Sequence, residues 1–132
     1  MNAQELESAL QNFTGTEQYH RIGLSKTVVA TDGVAFLAKE AKAYWLTDIV
    51  ASYQGSILRS SDPKCAMLRE FQVWTLRKNK TGSGAKIVCT DGNTDESIFS
   101  QRIEYTDFPM QEVKIWVQPQ DALMVMMLPS EN

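Results

Sequence analysis

Residues 71–90, FQVWTLRKNKTGSGAKIVCT, decide the fold class of this chain. Apolar and polar side chains alternate along Phe71–Arg77 and again along Ala85–Thr90, which is the period expected of β-strands. Between them, Asn79–Gly84 is rich in glycine and short polar residues, a composition typical of turns. The stretch therefore predicts an antiparallel hairpin.

Further strands are predicted beyond the hairpin. A polar turn at residues 90–95 leads into a strand over 97–105, and two more follow at 112–117 and 122–128. The last strand is apolar at every position, so we expect it to be central and covered on both faces. Short turns between consecutive strands predict an antiparallel meander of about five strands over residues 70–128.

The first part of the chain carries helical signals. Asn2 and Glu5 have the spacing of a capping box, which predicts a helix over 2–13. A second, longer helix is expected from Thr31 or Asp32 to Gln54, where Gly55 stops it. Its strongest apolar stripe holds Val34, Leu37, Ala38, Ala41, Trp45 and Ile49. We also expect short extended pieces at 18–22 and 26–30 and one helical turn at 64–69.

The predicted fold class is α+β, with two N-terminal helices packed on the C-terminal sheet. The helical part spans residues 1–55 and the sheet 70–128. With 132 residues, a net charge of −3, 43% hydrophobic and 22% charged residues, the composition is that of one ordinary globular domain over 1–132. Collagen-like, disordered, disulfide-stapled and strongly basic classes are excluded.

Several motifs occur in an order found elsewhere. They are Phe13–Tyr19, Thr31–Val34, Ala43–Leu46, Ile49–Tyr53, Glu70–Trp74, Tyr105–Pro109 and Leu128–Ser130. On these motifs the chain resembles a family of small bacterial proteins known only as a domain of unknown function, found in cyanobacteria, proteobacteria, phages and plasmids. The resemblance covers nearly the whole chain. It implies a bacterial, cytoplasmic, single-domain protein from a mobile-element setting, and it assigns no catalytic residue.

The sequence also predicts the compartment. The N-terminal stretch MNAQELESAL has two acids and no signal-peptide pattern, and the longest apolar run, residues 122–128, is too short to span a bilayer. We therefore expect a cytoplasmic protein without a membrane partner. Cys65 and Cys89 are then expected to be reduced thiols.

The residues needed for common catalytic and metal sites are not assembled in this sequence. His20 is the single histidine, and no zinc-ligand spacing or phosphate-binding glycine loop occurs. Residues 91–95 offer oxygens at EF-hand spacing, but the glycine and glutamate that complete such a loop are missing. No catalytic residue, metal or cofactor is predicted, and an enzyme is the less favoured class.

One carboxylate nevertheless suggests a pocket. Asp48 falls within the apolar stripe of the long helix, close to Tyr44 and Trp45, and a buried carboxylate needs hydrogen bonds or a cation. A structural role is favoured over a functional one. The candidate pocket is Asp48 with Trp45, Tyr44 and His20, and it would belong to a small enzyme.

Aromatic and basic residues suggest an interaction surface. Trp74 and Trp116 are predicted on the sheet face opposite the core. That face is expected to be either covered by the long helix or an interface, where tryptophan is enriched. Residues 56–80 carry a local charge of +4, whereas residues 81–132 carry −5. The candidate interaction residues are Trp74, Trp116, Arg69, Arg77 and Lys78.

The favoured function is a non-enzymatic binding or interaction module that self-associates, with a homodimer as the expected state. The alternatives are the small enzyme centred on Asp48 and a weak nucleic-acid accessory protein that uses the basic segment 56–80. Nucleic acid is the less favoured partner because the whole-chain pI is about 5.1.

Overall fold

Strands and helices alternate more than the sequence predicted. The computed structural model describes all 132 residues and has an α+β fold. Its helices are α1 (Ala3–Leu10), α2 (Asp32–Glu40), α3 (Tyr44–Arg59) and α4 (Pro63–Leu68). Its strands are β1 (His20–Arg21), β2 (Val28–Ala30), β3 (Gln72–Lys78), β4 (Ala85–Thr90), β5 (Phe99–Ile103), β6 (Glu112–Gln120) and β7 (Leu123–Met127).

The sheet is mixed and has seven strands, so the prediction of a five-strand antiparallel meander was wrong in detail. Its order is β1-β2-β7-β6-β3-β4-β5. The five predicted strands all exist, but β6 crosses over to pair with β3 instead of β5, and β2 adds to β7 in parallel. The extended pieces predicted at 18–22 and 26–30 thus become β1 and β2. β2 completes the backbone pairing of β7, whose buried position between β2 and β6 agrees with its apolar sequence.

The long predicted helix is two helices. α2 ends at Glu40 and α3 begins at Tyr44, while Lys42 adopts a left-handed φ of 53°. The Ala43 N–H donates to Ala38 O at 2.8 Å and the Lys42 N–H to Lys39 O at 3.3 Å, which is the Schellman pattern of a helix end. Glycine usually occupies that left-handed position, so a lysine there hid the break from the sequence.

The break changes which side chains of α3 are buried. Leu46, Val50 and Ile57 face the core, whereas the predicted stripe residues Trp45 and Ile49 are only half-buried. The helix also continues through Gly55 to Arg59, so the predicted stop at Gly55 was wrong.

The helix starts follow the predicted caps. The Asn2 side chain accepts the Glu5 N–H at 2.8 Å, and the Glu5 carboxylate accepts the Asn2 N–H at 3.4 Å, which confirms the capping box. Thr31 caps α2 by accepting the Val34 N–H at 3.4 Å. Capping satisfies helix N–H groups that have no partner within the helix.

The C-terminal end of the chain packs against the start of α2. One Glu131 carboxylate oxygen accepts the Thr31 hydroxyl at 2.6 Å and the other accepts the Gly33 N–H at 3.0 Å. A side chain at Gly33 would approach this carboxylate to 2.6 Å and Leu128 to 2.7 Å, so a larger residue there requires the Glu131 and Leu128 side chains to shift. The motifs at residues 31–34 and 128–130 are therefore neighbours in space.

One hydrophobic core lies between the helices and one face of the sheet. It is built from alternate residues of β3, β4 and β6, such as Leu76, Ile87 and Ile115, and from helix residues such as Leu37 and Leu46. Side chains of the opposite parity in these three strands are exposed or half-buried. The helices thus cover one face, and we call the other the open face of β3, β4, β5 and β6.

Candidate functional site

The open face carries a row of like charges. Across the sheet, Arg102 of β5 lies directly opposite Lys86 of β4, and Lys86 lies directly opposite Arg77 of β3. Residues that face each other across antiparallel strands project on the same side, and like charges in such positions destabilise the pairing. We call Arg102, Lys86 and Arg77 the charge row.

Only one end of the charge row, Arg77, is neutralised by an acid, which lies on the neighbouring strand. Glu112 of β6 lies opposite Arg77 and pairs with it, with Nη2 at 2.7 Å and Nε at 2.8 Å from the same carboxylate oxygen. Both side chains are largely or partly exposed, so this pair contributes little to stability. Lys86 and Arg102 have no such partner and are both exposed.

Two adjoining depressions beside the charge row form what we call the cationic groove. Their volumes are about 620 and 660 Å³, and both include Asn79 and Lys86 in their lining. Their charged lining residues are Arg77, Lys78, Lys80, Lys86, Arg102 and Lys114 against Asp95 and Glu104. The lining charges therefore sum to +4, or to +3 when Glu112, the partner of Arg77, is included, on a chain whose net charge is −3.

Hydroxyl groups accompany these cations. Thr75, Ser97 and Ser100 line the groove together with Thr81 and Ser83 of the hairpin turn. Lysine, arginine and short hydroxyl side chains are the groups that contact phosphate oxygens in nucleic-acid complexes.

An aromatic groove continues from the cationic groove along the open face. It has a volume of about 380 Å³ and is lined by Trp116, Phe71, Gly92 and Pro129. The two grooves share Val73, Thr90, Asp95 and Lys114. Trp116 is half-buried and meets Phe71 edge-on, with ring centroids 5.2 Å apart.

The predicted interaction residues divide between the two faces of the sheet. Trp116 and Arg77 lie at the open face, whereas Lys78, the last residue of β3, has the parity of the helix-facing residues and only lines one end of the cationic groove. The placement of Trp74 at the open face was wrong. Trp74 is only 2% exposed, packs against Tyr53 of α3 at 5.2 Å between ring centroids, and donates its indole N–H to Gln72 at 2.7 Å. Its parity in β3 is that of Gln72 and Leu76, which face the helices.

The basic segment 56–80 is also divided. Arg69 donates to Ile57 O at 3.1 Å and to Ser60 O at 2.9 Å, so it closes the C-terminal end of α3. Lys64 of α4 pairs with Glu96 at 2.8 Å, which raises the pKa of the lysine. The hairpin cations instead join Lys86, Arg102 and Lys114, which come from the segment that is acidic overall. The register between neighbouring strands brings these cations together, and the net charges of segments 56–80 and 81–132 do not reveal this.

The predicted pocket corresponds to a cleft on the helix side of the sheet. His20, Tyr44 and Asp48 line a cleft of about 500 Å³ together with Asp32, for which the sequence predicted only a helix-capping role. Trp45 does not line it and packs edge-on against Phe108, with centroids 6.4 Å apart. Asp48 is exposed, so its expected burial in the helix stripe was wrong; the break before α3 leaves Thr47 buried instead.

A histidine–aspartate pair lies in this cleft. His20 Nε2 is 2.8 Å from Asp32 Oδ1, and Asp32 Oδ2 accepts the Glu17 N–H at 2.9 Å. The Glu17 N–H and then the His20 ring lower the pKa of Asp32, since both stabilise the ionised carboxylate. Phe13 and Phe36 form part of the apolar lining, with ring centroids 5.2 Å apart.

Both cysteines are buried and free. Burial raises the pKa of the Cys89 thiol, and its side chain belongs to the hydrophobic core. The thiolate is the reactive form of cysteine, so Cys89 is a packing residue and not a nucleophile.

The fold and the grooves together define a class: an α+β domain whose mixed sheet is covered by helices on one face and offers a charged, accessible surface on the other. Residues 4–132 match the sequence profile of a family of unknown function, DUF6876, and the chain belongs to that family. The resemblance inferred from the motifs is thus confirmed. No curated protein and no solved structure matches the chain. None of its helices has both the length and the apolar character needed to cross a bilayer.

Proposed function

We propose that this protein is a non-enzymatic binding module that holds a phosphate-bearing polyanion against the open face of its sheet. The observation that carries the proposal is the charge row of Arg102, Lys86 and Arg77. Directly opposed like charges oppose sheet formation, and local rules of this kind are broken most often at functional sites. A bound polyanion neutralises the charge row, and the relief of the repulsion among its side chains adds to the free energy of binding.

The distribution of charge supports the same ligand class. All six lysines and arginines from Arg77 to the C-terminus line the cationic groove, whereas most acids of that segment lie elsewhere. A local cationic surface on an acidic chain draws anions to one place and limits non-specific contact elsewhere. The motif resemblance implies a cytoplasmic, bacterial setting, which is compatible with such a role. We include this setting in the proposal.

The experiment measures binding of fluorescently labelled inorganic polyphosphate at low salt. Charge reversal at Lys86→Glu on the groove is compared with Lys39→Glu on α2, which changes the net charge equally on the helix side of the molecule. We expect at least a ten-fold loss of affinity for the first variant and less than two-fold for the second. Equal losses, or no binding by the wild type, would overturn the proposal.

Self-association stays a prediction, and charge argues that it uses another surface. Two copies packed face to face through the open face would bring two cationic surfaces together, and such contacts cost free energy. Light scattering of the wild type and of Lys86→Glu tests this point. A dimer that forms equally in the wild type and in Lys86→Glu would agree with self-association through another surface. A dimer that forms in only one of the two proteins would show that the contact involves the open face.

A second candidate function is small-ligand chemistry in the cleft of His20. The observation that favours it is the pairing of His20 with Asp32 beside the apolar walls of Phe13 and Phe36. A carboxylate that holds one imidazole nitrogen orients the other, as in general-base sites. Ligand-observed NMR with an aromatic fragment library, repeated on His20→Gln, tests it: hits lost in the variant support this function, and no hits at all reject it.

A further inference from the structure

We infer that the polyanion is a single-stranded nucleic acid and that the aromatic groove is the seat of one of its bases. This inference rests on the proposed function, because it names the ligand of the same open face. It adds one claim beyond phosphate binding, namely that a nucleobase contacts Trp116 and that this contact increases the affinity for the nucleic acid.

The first observation is the continuity of the two grooves. Lys114 lines both of them and lies two residues before Trp116 on β6, so the two side chains project from the same face of the strand. A chain whose phosphates follow the cationic groove therefore reaches the aromatic groove without leaving the open face. The charge row and Lys114 span three steps between strands, which is roughly 14 Å.

The second observation is the state of Trp116. It is half-buried, supported at one edge by Phe71 at 5.2 Å between centroids, and lies directly opposite Val73 and Met127 in the neighbouring strands. Trp74, in contrast, is fully enclosed by the core. Aromatic side chains that are fixed in position beside a cationic track are the platforms on which bases of single strands stack.

The third observation is the size and composition of the aromatic groove. About 380 Å³ admits a nucleobase, and Thr90, Thr94 and Asp95 supply polar groups at its rim. Asp95 is an acid in the lining of both grooves. It repels phosphate but can accept a hydrogen bond from an N–H group of a base, such as N3–H of thymine, so it favours a base and not a phosphate at this end.

A duplex fits this surface less well. Bases in a duplex are stacked on one another and present only their edges, so the face of Trp116 would have no partner. An unpaired base carries an accessible π face, and stacking on an aromatic side chain is tolerant of sequence. The inference therefore commits to single strands without strong sequence preference.

The experiment compares two ligands with the same number of phosphates: a ten-nucleotide oligothymidine and an abasic ten-mer of the same backbone, both fluorescently labelled. We expect the wild type to bind oligothymidine about ten-fold more tightly, within the range that stacking of one base gives. Trp116→Ala should bind both ligands with the affinity of the abasic ten-mer. Trp116→Phe, which keeps a ring and guards against loss of folding, should retain most of the difference.

The outcomes separate the two claims. Equal binding of both ten-mers by the wild type would overturn the base seat and leave polyanion binding intact, whereas no binding of either would overturn both. A ten-base-pair duplex that binds as tightly as oligothymidine would overturn the preference for single strands. Vesicles rich in anionic lipid serve as a fourth ligand, and tighter binding to these than to oligothymidine would identify a membrane surface instead.

Discussion

Lys86 and Arg102 face each other directly across β4 and β5, on the side of the sheet that no helix covers. On its other side Lys86 faces Arg77. A sheet selected only for stability would place opposite charges in these positions, because cross-strand ion pairs stabilise and like pairs destabilise by similar amounts. The arrangement therefore ties the proposed function of the open face to a measurable cost in stability.

The first prediction follows from that cost. Lys86→Gln removes the central cation, so we expect the free energy of unfolding to rise by about 0.5–1 kcal/mol while affinity for polyanions falls. Urea unfolding measures the first change and ligand titration the second. Because salt screens repulsion between exposed charges, the gain in stability should shrink at high ionic strength. Lys39→Gln, on α2, serves as the matched control. A Lys86→Gln variant less stable than the wild type would contradict the repulsion.

A second prediction concerns the break between α2 and α3. Lys42 adopts a left-handed φ of 53°, which costs a lysine roughly 1 kcal/mol more than a glycine. Lys42→Gly should therefore stabilise the protein by about 0.5–1 kcal/mol, even though glycine loses more entropy on folding. Thermal and urea unfolding check this. If the chain folded instead as one continuous helix here, the same substitution would destabilise it.

A third prediction concerns the polar network beneath Trp74. Gln72 accepts hydrogen bonds from Gln54 at 2.8 Å and from the Trp74 indole at 2.7 Å, and it donates to Gln54 at 2.8 Å and to Leu68 O at 3.0 Å. Both glutamines are at most 1% exposed. Gln72→Leu leaves the buried polar groups that bond to Gln72 without a partner, and each such unpaired group costs about 1–3 kcal/mol of stability.

The matched measurement for this network is a double-mutant cycle. Gln54→Leu alone should also destabilise, but the double variant should lose less than the sum of the two single losses, because the two amides are each other's partners. Strictly additive losses would show that the glutamines do not interact.

A fourth prediction gives the pH dependence of the His20–Asp32 pair. The pKa of Asp32 is lowered from its ordinary value of 3.8, so its ionised form stabilises the folded state. That contribution is present above pH 3.8 and is lost as the pH falls through the lower, folded-state pKa. Asp32→Asn should therefore be less stable than the wild type near neutral pH, and this difference should shrink on acidification below about pH 3.8.

The control for Asp32 lies in the same cleft. Asp48 is exposed, so Asp48→Asn should leave the melting temperature nearly unchanged across this pH range. A difference between wild type and Asp32→Asn that stays constant down to pH 2.5–3 would mean that the carboxylate charge does not contribute.

Local chemistry explains which parts of the fold could be predicted. The hairpin of residues 71–90, the later strands and the Asn2 cap depend on neighbouring residues, and all were found. The parallel pairing of Val29 with Val125 and the return of β6 to β3 depend on contacts between distant parts of the chain. No pattern within one segment records such contacts, so the mixed sheet was missed.

The same distinction applies to the candidate sites. The sequence suggested His20, Tyr44 and Asp48 as neighbours, and one cleft contains them, but Asp32 joined only through the fold. Trp74 was assigned to the wrong face because Phe71–Arg77 carries bulky side chains at both parities. Gln72, a polar residue that shares the parity of Trp74 and Leu76, made the helix-covered face of β3 resemble a solvent-exposed one.

Salt dependence of oligonucleotide binding tests the central claim most directly. Each phosphate neutralised in a single strand contributes a slope of about −0.7 to log affinity against log salt. If Lys86 and Arg102 each hold a phosphate, Lys86→Gln with Arg102→Gln should weaken binding and make the slope shallower by about 1.4. Wild-type binding with no salt dependence, or an unchanged slope in the double variant, would contradict the account.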